Sequence, residues 1–416
     1  MFIKSFRCAW VNVCLTLGFH SEPTLLARPL HVNPANRVSG PVFDNHRMGA
    51  EDIRTTHWPR NQSLYGLIAY GPPEKCTRPL KTNPVRLLCG LKNSKADLTT
   101  AKFILYYGPT VADSDIYDLT DFQSLLEDEH LDLGKNTVLY LHGYLEDPDV
   151  ESIHVIAEAY LERKDTNLIV LDWGELADGN YMFDAFPNLK QLGPELAKVL
   201  IQMFDHGLDI DKFHIVGHSM GGQLAGILGR EIIKRTKGVR KLRRISALDP
   251  AFPLFYPGTH LSASDAEFVD VIHTDAWLYG APTSTGTADF WPNGGTSLQP
   301  GCPKRNYKML SDNDLSSHRR SWWFWAESVS DRYPIGFDAV PAKKWSDFKQ
   351  NKTSETCPPV VMGHHCPRTI HGDFYLQTNG QTPFARGKEG AVYVDPKELL
   401  GNTHSNTCDC PPPHSN

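Results

Sequence analysis

The chain has 416 residues, 40% of them hydrophobic and 22% charged, and a formal net charge of -6 at pH 7. That composition excludes disorder over the whole length and suffices for a sizeable core. The charge gives no global argument for nucleic acid or an anionic membrane as partner, so local clusters have to decide.

Lys4 and Arg7 precede an apolar stretch from Cys8 to Phe19, interrupted only by Asn12 and Thr16. This reads as the charged and hydrophobic regions of a secretory signal over residues 1–21, too short to span a bilayer. Residues 22–85 are rich in Pro, Asn and Arg without a sustained hydrophobic period, and read as an extended arm. Two sequons, at Asn61 and Asn351, are compatible with secretion and glycosylation. If Cys8 and Cys14 leave with the signal, Cys76, Cys89, Cys302, Cys357, Cys366, Cys408 and Cys410 remain, an odd set with at least one thiol free or paired between chains. Cys357 is close enough to Cys366 to staple one loop, and Cys76 to Cys89 to tie down the arm. Neither the Cys357, His364, His365, Cys366 group nor Cys408-Asp409-Cys410 has a zinc-type pair of ligand pairs, so no metal is expected there.

Residues 86–395 carry the regular pattern. Short apolar runs at Phe103 to Tyr107, Thr137 to Leu141, Leu168 to Leu171, Phe213 to Val216, Ile245 to Leu248 and Phe268 to Ile272 have the length and β-branched content of buried strands. Helical patterns at Ile153 to Lys164, Gly193 to Phe204 and Gln223 to Lys234 alternate with the later strands. Alternation of this kind predicts βαβ units and a mostly parallel sheet flanked by helices, with reacting groups at the carboxyl ends of strands. Residues 396–416 are polar, include three consecutive prolines, and read as a disordered tail.

Gly217-His218-Ser219-Met220-Gly221 sits between the strand at Phe213 and the helix at Gln223, as a nucleophile elbow would. A serine hydroxyl is a weak nucleophile until a base takes its proton, and the elbow holds it clear of its neighbours. The histidine base needs a carboxylate to fix its tautomer, and in α/β-hydrolases the chain order is serine, acid, histidine. Asp249 and Asp275 each follow a strand downstream of Ser219, so both are candidate acids. His318, just before the aromatic run Trp322 to Trp325 that should anchor the following helix, is the candidate base. His273 is the strand-bound rival, more often structural in such a place. His142, His214 and His218 precede the acid and read as packing and hydrogen-bonding groups. The tetrahedral oxyanion needs two preorganised amides, for which Met220 and Tyr144 are placed, the latter after the strand ending at Leu141.

These segments together resemble the pancreatic lipase family, most closely its insect neutral lipase and phospholipase A1-like members. The resemblance rests on LYLHGY at 139–144, LDWG at 171–174, IVGHSMGGQLAG at 215–226, ALDPAFP at 247–253, FVDVIHTD at 268–275, ADFWPNGG at 288–295 and SSHRRSWWFWAES at 316–328. It implies an α/β-hydrolase fold with Ser219, Asp249 and His318 as nucleophile, acid and base, and Tyr144 and Met220 as oxyanion donors. Relatives with a full lid close it by a disulfide whose second cysteine precedes the catalytic histidine; here Ser316 stands at that place, so Cys302 lacks that partner. The lid segment Pro303 to Leu315 and the loop Ala276 to Ala288 are both short, as in the phospholipase A1-like branch. Beyond Gln377 and Thr378 too little chain remains for the vertebrate C-terminal β-sandwich, so no colipase is expected. Of a calcium site found in some relatives only Asp265 matches, and no cofactor is expected.

The basic residues Arg230, Lys234, Arg235, Lys237, Arg240, Lys241, Arg243 and Arg244 form a local charge cluster between the elbow helix and the Asp249 strand. They read either as a site for anionic lipid or sulfated glycan or, more plainly, as a solvated helix and loop. The leading functional expectation is a secreted serine carboxylic ester hydrolase of lipase or phospholipase A1 type, acting on glycerolipids at an interface through an acyl-enzyme in lipid catabolism. The alternative is a non-catalytic lipid-binding or yolk-storage protein on the same fold, which the intact triad residues argue against.

Overall fold

A computed structural model describes residues 96–395, apart from 257, 306–307 and 353–357. The expected signal, arm and tail, residues 86–95, the Asn61 sequon, Thr353 of the second sequon, and Cys76, Cys89, Cys357, Cys408 and Cys410 lie outside the described residues.

The strands are β1 (Lys102–Tyr106), β2 (Ser114–Asp118), β3 (Asn136–Leu141), β4 (Thr166–Asp172), β5 (Phe213–His218), β6 (Arg244–Leu248), β7 (Phe268–Ile272), β8 (Ala288–Pro292), β9 (Phe337–Pro341), β10 (Val360–Met362) and β11 (Gly372–Leu376). The helices are α1 (Phe122–Leu126), α2 (Glu151–Leu161), α3 (Gly174–Ala177), α4 (Phe186–Asp205), α5 (Met220–Arg235), α6 (Asp312–Val329) and α7 (Trp345–Phe348). One sheet takes the order β10-β9-β11-β8-β7-β6-β5-β3-β4-β1-β2. The run from β4 through β3, β5, β6, β7 and β8 to β11 is parallel; β1, β2, β9 and β10 join it antiparallel at the two edges.

A parallel sheet needs cover on both faces, and the two-residue alternation of a strand supplies two apolar faces from one apolar run. Leu139, Leu141, Ile169, Leu171, Ile215, Ile245, Ala247, Val269 and Val271 face one cluster, closed by Leu189, Leu196 and Leu200 of α4 and Leu224 and Leu228 of α5. Val138, Tyr140, Leu168, Val170, Val216, Leu248 and Ile272 face the other, closed by Ile153, Ile156 and Tyr160 of α2 and Trp322, Phe324 and Trp325 of α6. The mean result is the α/β fold expected, with helices on both sides of a mostly parallel sheet.

All six expected strands form. Helix α4 begins at Phe186 instead of Gly193, because Asn180 accepts amide hydrogens from Met182 and Phe183 (2.9 and 3.0 Å) and starts a wide turn at Tyr181 that runs on into the helix. Pro194 lies inside that helix and masked its true length in the sequence. Helix α6 also begins early. Ser311 caps it by accepting from the Asp314 amide, with Asp312 and Asp314 in the first turn, so His318 lies within the helix and not before it.

The expected partner Cys357 lies outside the described residues, and among these Cys366 is buried and carries a free thiol. Its sulfur packs in the α2 and α6 core and bonds only the Pro367 carbonyl, at 3.7 Å. Among the described residues no helix is long and apolar enough to cross a membrane.

One buried carboxyl makes stability depend on pH. Glu327 of α6 accepts the amides of Phe384 and Ala385, each at 2.7 Å, and burial pushes its carboxyl up to about 7 against those two bonds. The folded chain therefore holds a proton that the unfolded chain releases near 4.5. This contribution is present in full below the unfolded value and is lost as pH rises through about 7. Melting temperatures across that window should fall with rising pH, and Glu327→Gln should remove that part of the slope; an identical slope in the variant would contradict the assignment.

Candidate active site

Strand β5 delivers the chain to Ser219 in a left-handed backbone, φ 54° and ψ -118°, and α5 starts at the next residue. The flanking glycines are needed for space rather than torsion. A Cβ on Gly217 would come within 2.4 Å of the Gly221 carbonyl oxygen, and one on Gly221 within 2.0 Å of the Leu141 oxygen. The strain itself is carried by the serine, as in a sharp strand-to-helix turn.

The elbow is stitched to the next strand. The Ser219 amide donates to the Leu248 carbonyl and the Ala251 amide donates to the Ser219 carbonyl, both at 3.0 Å, one on each side of Asp249. Asp249 is also left-handed, at φ 46°, and fully buried. Its Oδ1 accepts from the Thr274 and Asp275 amides at 2.8 and 3.2 Å, which leaves Oδ2 to accept from His318 Nδ1 at 2.6 Å. With Nδ1 as donor, the neutral imidazole of His318 presents Nε2 as a lone-pair base. Burial holds that imidazole below its ordinary value, against the opposing pull of the Asp249 carboxylate. The ring is thus unprotonated at neutral pH. The Ser219 hydroxyl makes no hydrogen bond among the described residues, a contact that commonly tightens only with substrate bound.

Asp275, the rival acid, does not touch His318. Both its oxygens accept from Arg305 Nη2, at 2.8 and 2.6 Å. Burial and the nearby Asp249 charge push its carboxyl up to about 8, with Arg305 pulling the other way. The strand-bound His273 pairs with Asp289 at 2.8 Å and stacks on Trp291, as a core histidine does. His214 bonds Ser246 at the opposite end of the sheet. His142 is fixed as the neutral Nδ1 tautomer, donating to the Gly143 carbonyl (3.0 Å) and accepting the Trp173 amide at Nε2 (3.1 Å).

The Tyr144 and Met220 amides have no acceptor among the described residues, Met220 because it opens α5. Met220 follows the serine directly, and Gly143, next to Tyr144, would place a Cβ 3.1 Å from Ser219 Cβ, so two unspent donors lie on segments that adjoin the serine. Sequence reasoning passed over two participants: Glu146, whose carboxylate bonds the Gly143 amide at 2.6 Å, and Tyr279, whose ring lies 5.7 Å from that of His318. Glu146 follows Tyr144 by two residues and could have been found by asking what supports an oxyanion loop.

Most of the basic run is neutralised locally. Arg230 pairs with Asp265, Lys234 and Arg235 with Glu231, Arg240 with Asp205, Arg243 with Asp211 and Glu267, and Arg244 with Asp270. Only Lys237 and Lys241 have no ion pair among the described residues, so six of the eight cations of the run are already paired. Asp265 also accepts from the Ser262 amide and hydroxyl, at 2.8 and 3.2 Å. With a guanidinium already against this one carboxylate, the donor set does not fit a hard divalent cation, which wants several oxygens.

Residues 76–384 match the family model described as Lipase. Pancreatic triacylglycerol lipase from Sus scrofa is 30% identical over 357 residues, covering 78% of this chain and 74% of that protein. Inactive pancreatic lipase-related protein 1 from Homo sapiens is 28% identical over 316 residues, covering 70% of this chain and 65% of that protein. The chain thus spans about two thirds to three quarters of the length of these relatives. An alpha/beta hydrolase enzyme from a Medee basin deep-sea metagenome library is 18% identical, with a TM-score of 0.25 over 45% of this chain and 71% of that one. At that score the likeness adds nothing to the fold already read from the strand order.

Proposed function

This chain belongs to the Lipase family, and from that premise we propose that it is a serine-dependent carboxylic ester hydrolase that cleaves glycerolipids, in the manner of a lipase or phospholipase A1. One matched relative bears the name inactive, so membership alone does not carry catalysis. The reading rests on a single observation: Asp249 Oδ2 lies 2.6 Å from His318 Nδ1, beside a serine held in an elbow.

In the proposed cycle, Ser219 Oγ attacks the ester carbonyl carbon while its proton passes to His318 Nε2. The carbonyl oxygen becomes an oxyanion held by the Tyr144 and Met220 amides. Collapse breaks the bond to the lipid alcohol, which leaves with the proton from His318. Water, deprotonated by the same nitrogen, then attacks the acyl-enzyme and releases the fatty acid and a free serine. Asp249 keeps its hydrogen bond to Nδ1 throughout and stabilises the imidazolium.

A lipid substrate is supported by the surface around the site. Trp277 and Leu278 on the loop after β7, and Met309 and Leu310 before α6, stand exposed, Trp277 by 54% and Met309 by 50%. The two segments meet where the Leu310 amide donates to the Tyr279 hydroxyl at 3.3 Å. An apolar rim on both sides of the base suits an interface of acyl chains. The shortness of both segments favours a bulky phospholipid head group, and the apolar N-terminal stretch favours secretion.

The purified chain should be assayed on triglyceride, phosphatidylcholine and galactolipid, with the released acyl position identified. Release from the 1-position of phosphatidylcholine is expected. Release confined to the 2-position would sink the A1 reading, and no hydrolysis of any of the three would leave the non-catalytic lipid-binding alternative.

A further inference from the structure

Five residues, His142 to Glu146, join β3 to the rest of the chain and include the Tyr144 amide. On one side they are pinned to residues 173–179: Trp173 Nε1 donates to the His142 carbonyl (3.1 Å), the Leu145 amide to Ala177 (3.1 Å) and the Tyr144 hydroxyl to Gly179 (2.6 Å). On the side of the elbow there is a single hydrogen-bonded link among the described residues, and it runs through Glu146. Glu146 Oε2 accepts the Gly143 amide at 2.6 Å, and Oε1 lies 3.3 Å from His218 Nδ1, next to Ser219.

The link spans a very short gap. A Cβ on Gly143 would sit 3.1 Å from Ser219 Cβ and 3.2 Å from His218 Nδ1, so loop and elbow are in contact there. The loop is not at rest by itself, since Leu145 is held left-handed at φ 59°, a costly backbone for a bulky residue unless its surroundings impose it. The Glu146 side chain is only 13% exposed, which would raise its carboxyl. His218 and the Gly143 amide instead hold it down at about 2. It is therefore an anion at every working pH and a strong acceptor for both partners.

We infer that Glu146 is a positioning residue for the oxyanion site: by bonding the Gly143 amide and His218 together, it sets the height of the Tyr144 amide over Ser219. The inference rests on the hydrolase reading above. Oxyanion stabilisation depends on donors placed at about 3 Å from an atom that exists only in the transition state, so a loose loop costs turnover and not substrate binding. The charged and titratable groups facing the clasp include His142, His218, His318 and Tyr140. The ring of His318 lies 4.8 Å from that of His218, and the Glu146 and His218 charges shift it in opposite directions.

The test uses the full chain, a soluble p-nitrophenyl ester and an alkylboronic acid that forms a tetrahedral adduct on the serine. Glu146→Ala should lower kcat by about 100-fold with KM unchanged, and weaken boronate inhibition by a similar factor. Glu146→Gln, which keeps an oxygen for the Gly143 amide, should recover all but roughly tenfold. Should the alanine variant not fold, Glu146→Asp keeps the charge but falls short of the amide, and should show the same joint loss of kcat and boronate affinity. A kcat within about threefold of wild type in the alanine or aspartate variant would overturn the proposal. So would a lowered kcat with undiminished boronate affinity. Ser219→Ala run in parallel separates the two readings: turnover surviving in that variant sinks the hydrolase assignment, whereas the clasp fails on the Glu146 variants alone.

Discussion

Replacing Ser219 with alanine is expected to lower kcat for ester hydrolysis by roughly five to six orders of magnitude, about 7–8 kcal/mol of barrier at 1.36 kcal/mol per decade. The hydroxyl is the atom on which the proposed cycle builds the acyl bond. Water attacking directly would keep only what the oxyanion donors and binding supply. The variant should melt within a degree or two of wild type, because the Ser219 hydroxyl makes no hydrogen bond among the described residues and its backbone bonds to Leu248 and Ala251 do not involve the side chain. Binding to lipid vesicles should persist through Trp277, Leu278, Met309 and Leu310. Residual turnover above about one per cent of wild type, after exclusion of contaminating esterase, would rule out Ser219 as nucleophile.

Asp249→Asn is expected to cost about four orders of magnitude in kcat at neutral pH. The Thr274 and Asp275 amides hold Oδ1, so the new side-chain amide would point its NH2 at His318 Nδ1. The ring must then accept at Nδ1 and carry its proton on Nε2, facing the serine, where a base is required. The parallel variant Asp275→Asn should stay within about tenfold of wild type, since that carboxyl bonds Arg305 and never meets the imidazole. Equal losses in the two variants would remove the distinction between the acids. Because burial keeps His318 below its ordinary value, kcat/KM should hold on the acid side to a pH lower than a solvent-exposed histidine would permit.

Legibility in the sequence followed the range of the interactions concerned. The six core strands announce themselves because a strand buried on both faces is a continuous apolar run, and each such run formed where it was read. Strand β2, half exposed with the sequence Ser114–Asp118, and the strands β9 and β10 carry no such run. Pairing with a neighbour makes them strands, and that neighbour is distant in sequence. Strand β8 ends in Pro292 and buries Asp289 against His273, so its composition argues against the role that the sheet gives it. His318 was legible as a residue near a helix. Its position inside α6, about two turns from the Ser311 cap, depended on recognising that cap ahead of a polar first turn.

What the sequence by itself determined is the local part: an elbow at Ser219 between strand and helix, acids after two successive strands, a histidine beside an aromatic run, and the family those motifs spell. Patterns of three to ten residues suffice for these, because backbone torsion and apolar periodicity act between near neighbours. The family motifs already implied Asp249 as the acid; the tertiary structure supplied the contact, 2.6 Å from Asp249 to His318, and the Arg305 bridge that occupies Asp275. It also decided that six of the eight basic residues of the run pair with Asp265, Glu231, Asp205, Asp211, Glu267 and Asp270, and that Glu146 reaches both Gly143 and His218. Hydrogen bonds and buried ion pairs form within about 3 Å between groups up to tens of residues apart in the chain, and spacing along the sequence carries no record of which pair closes that gap.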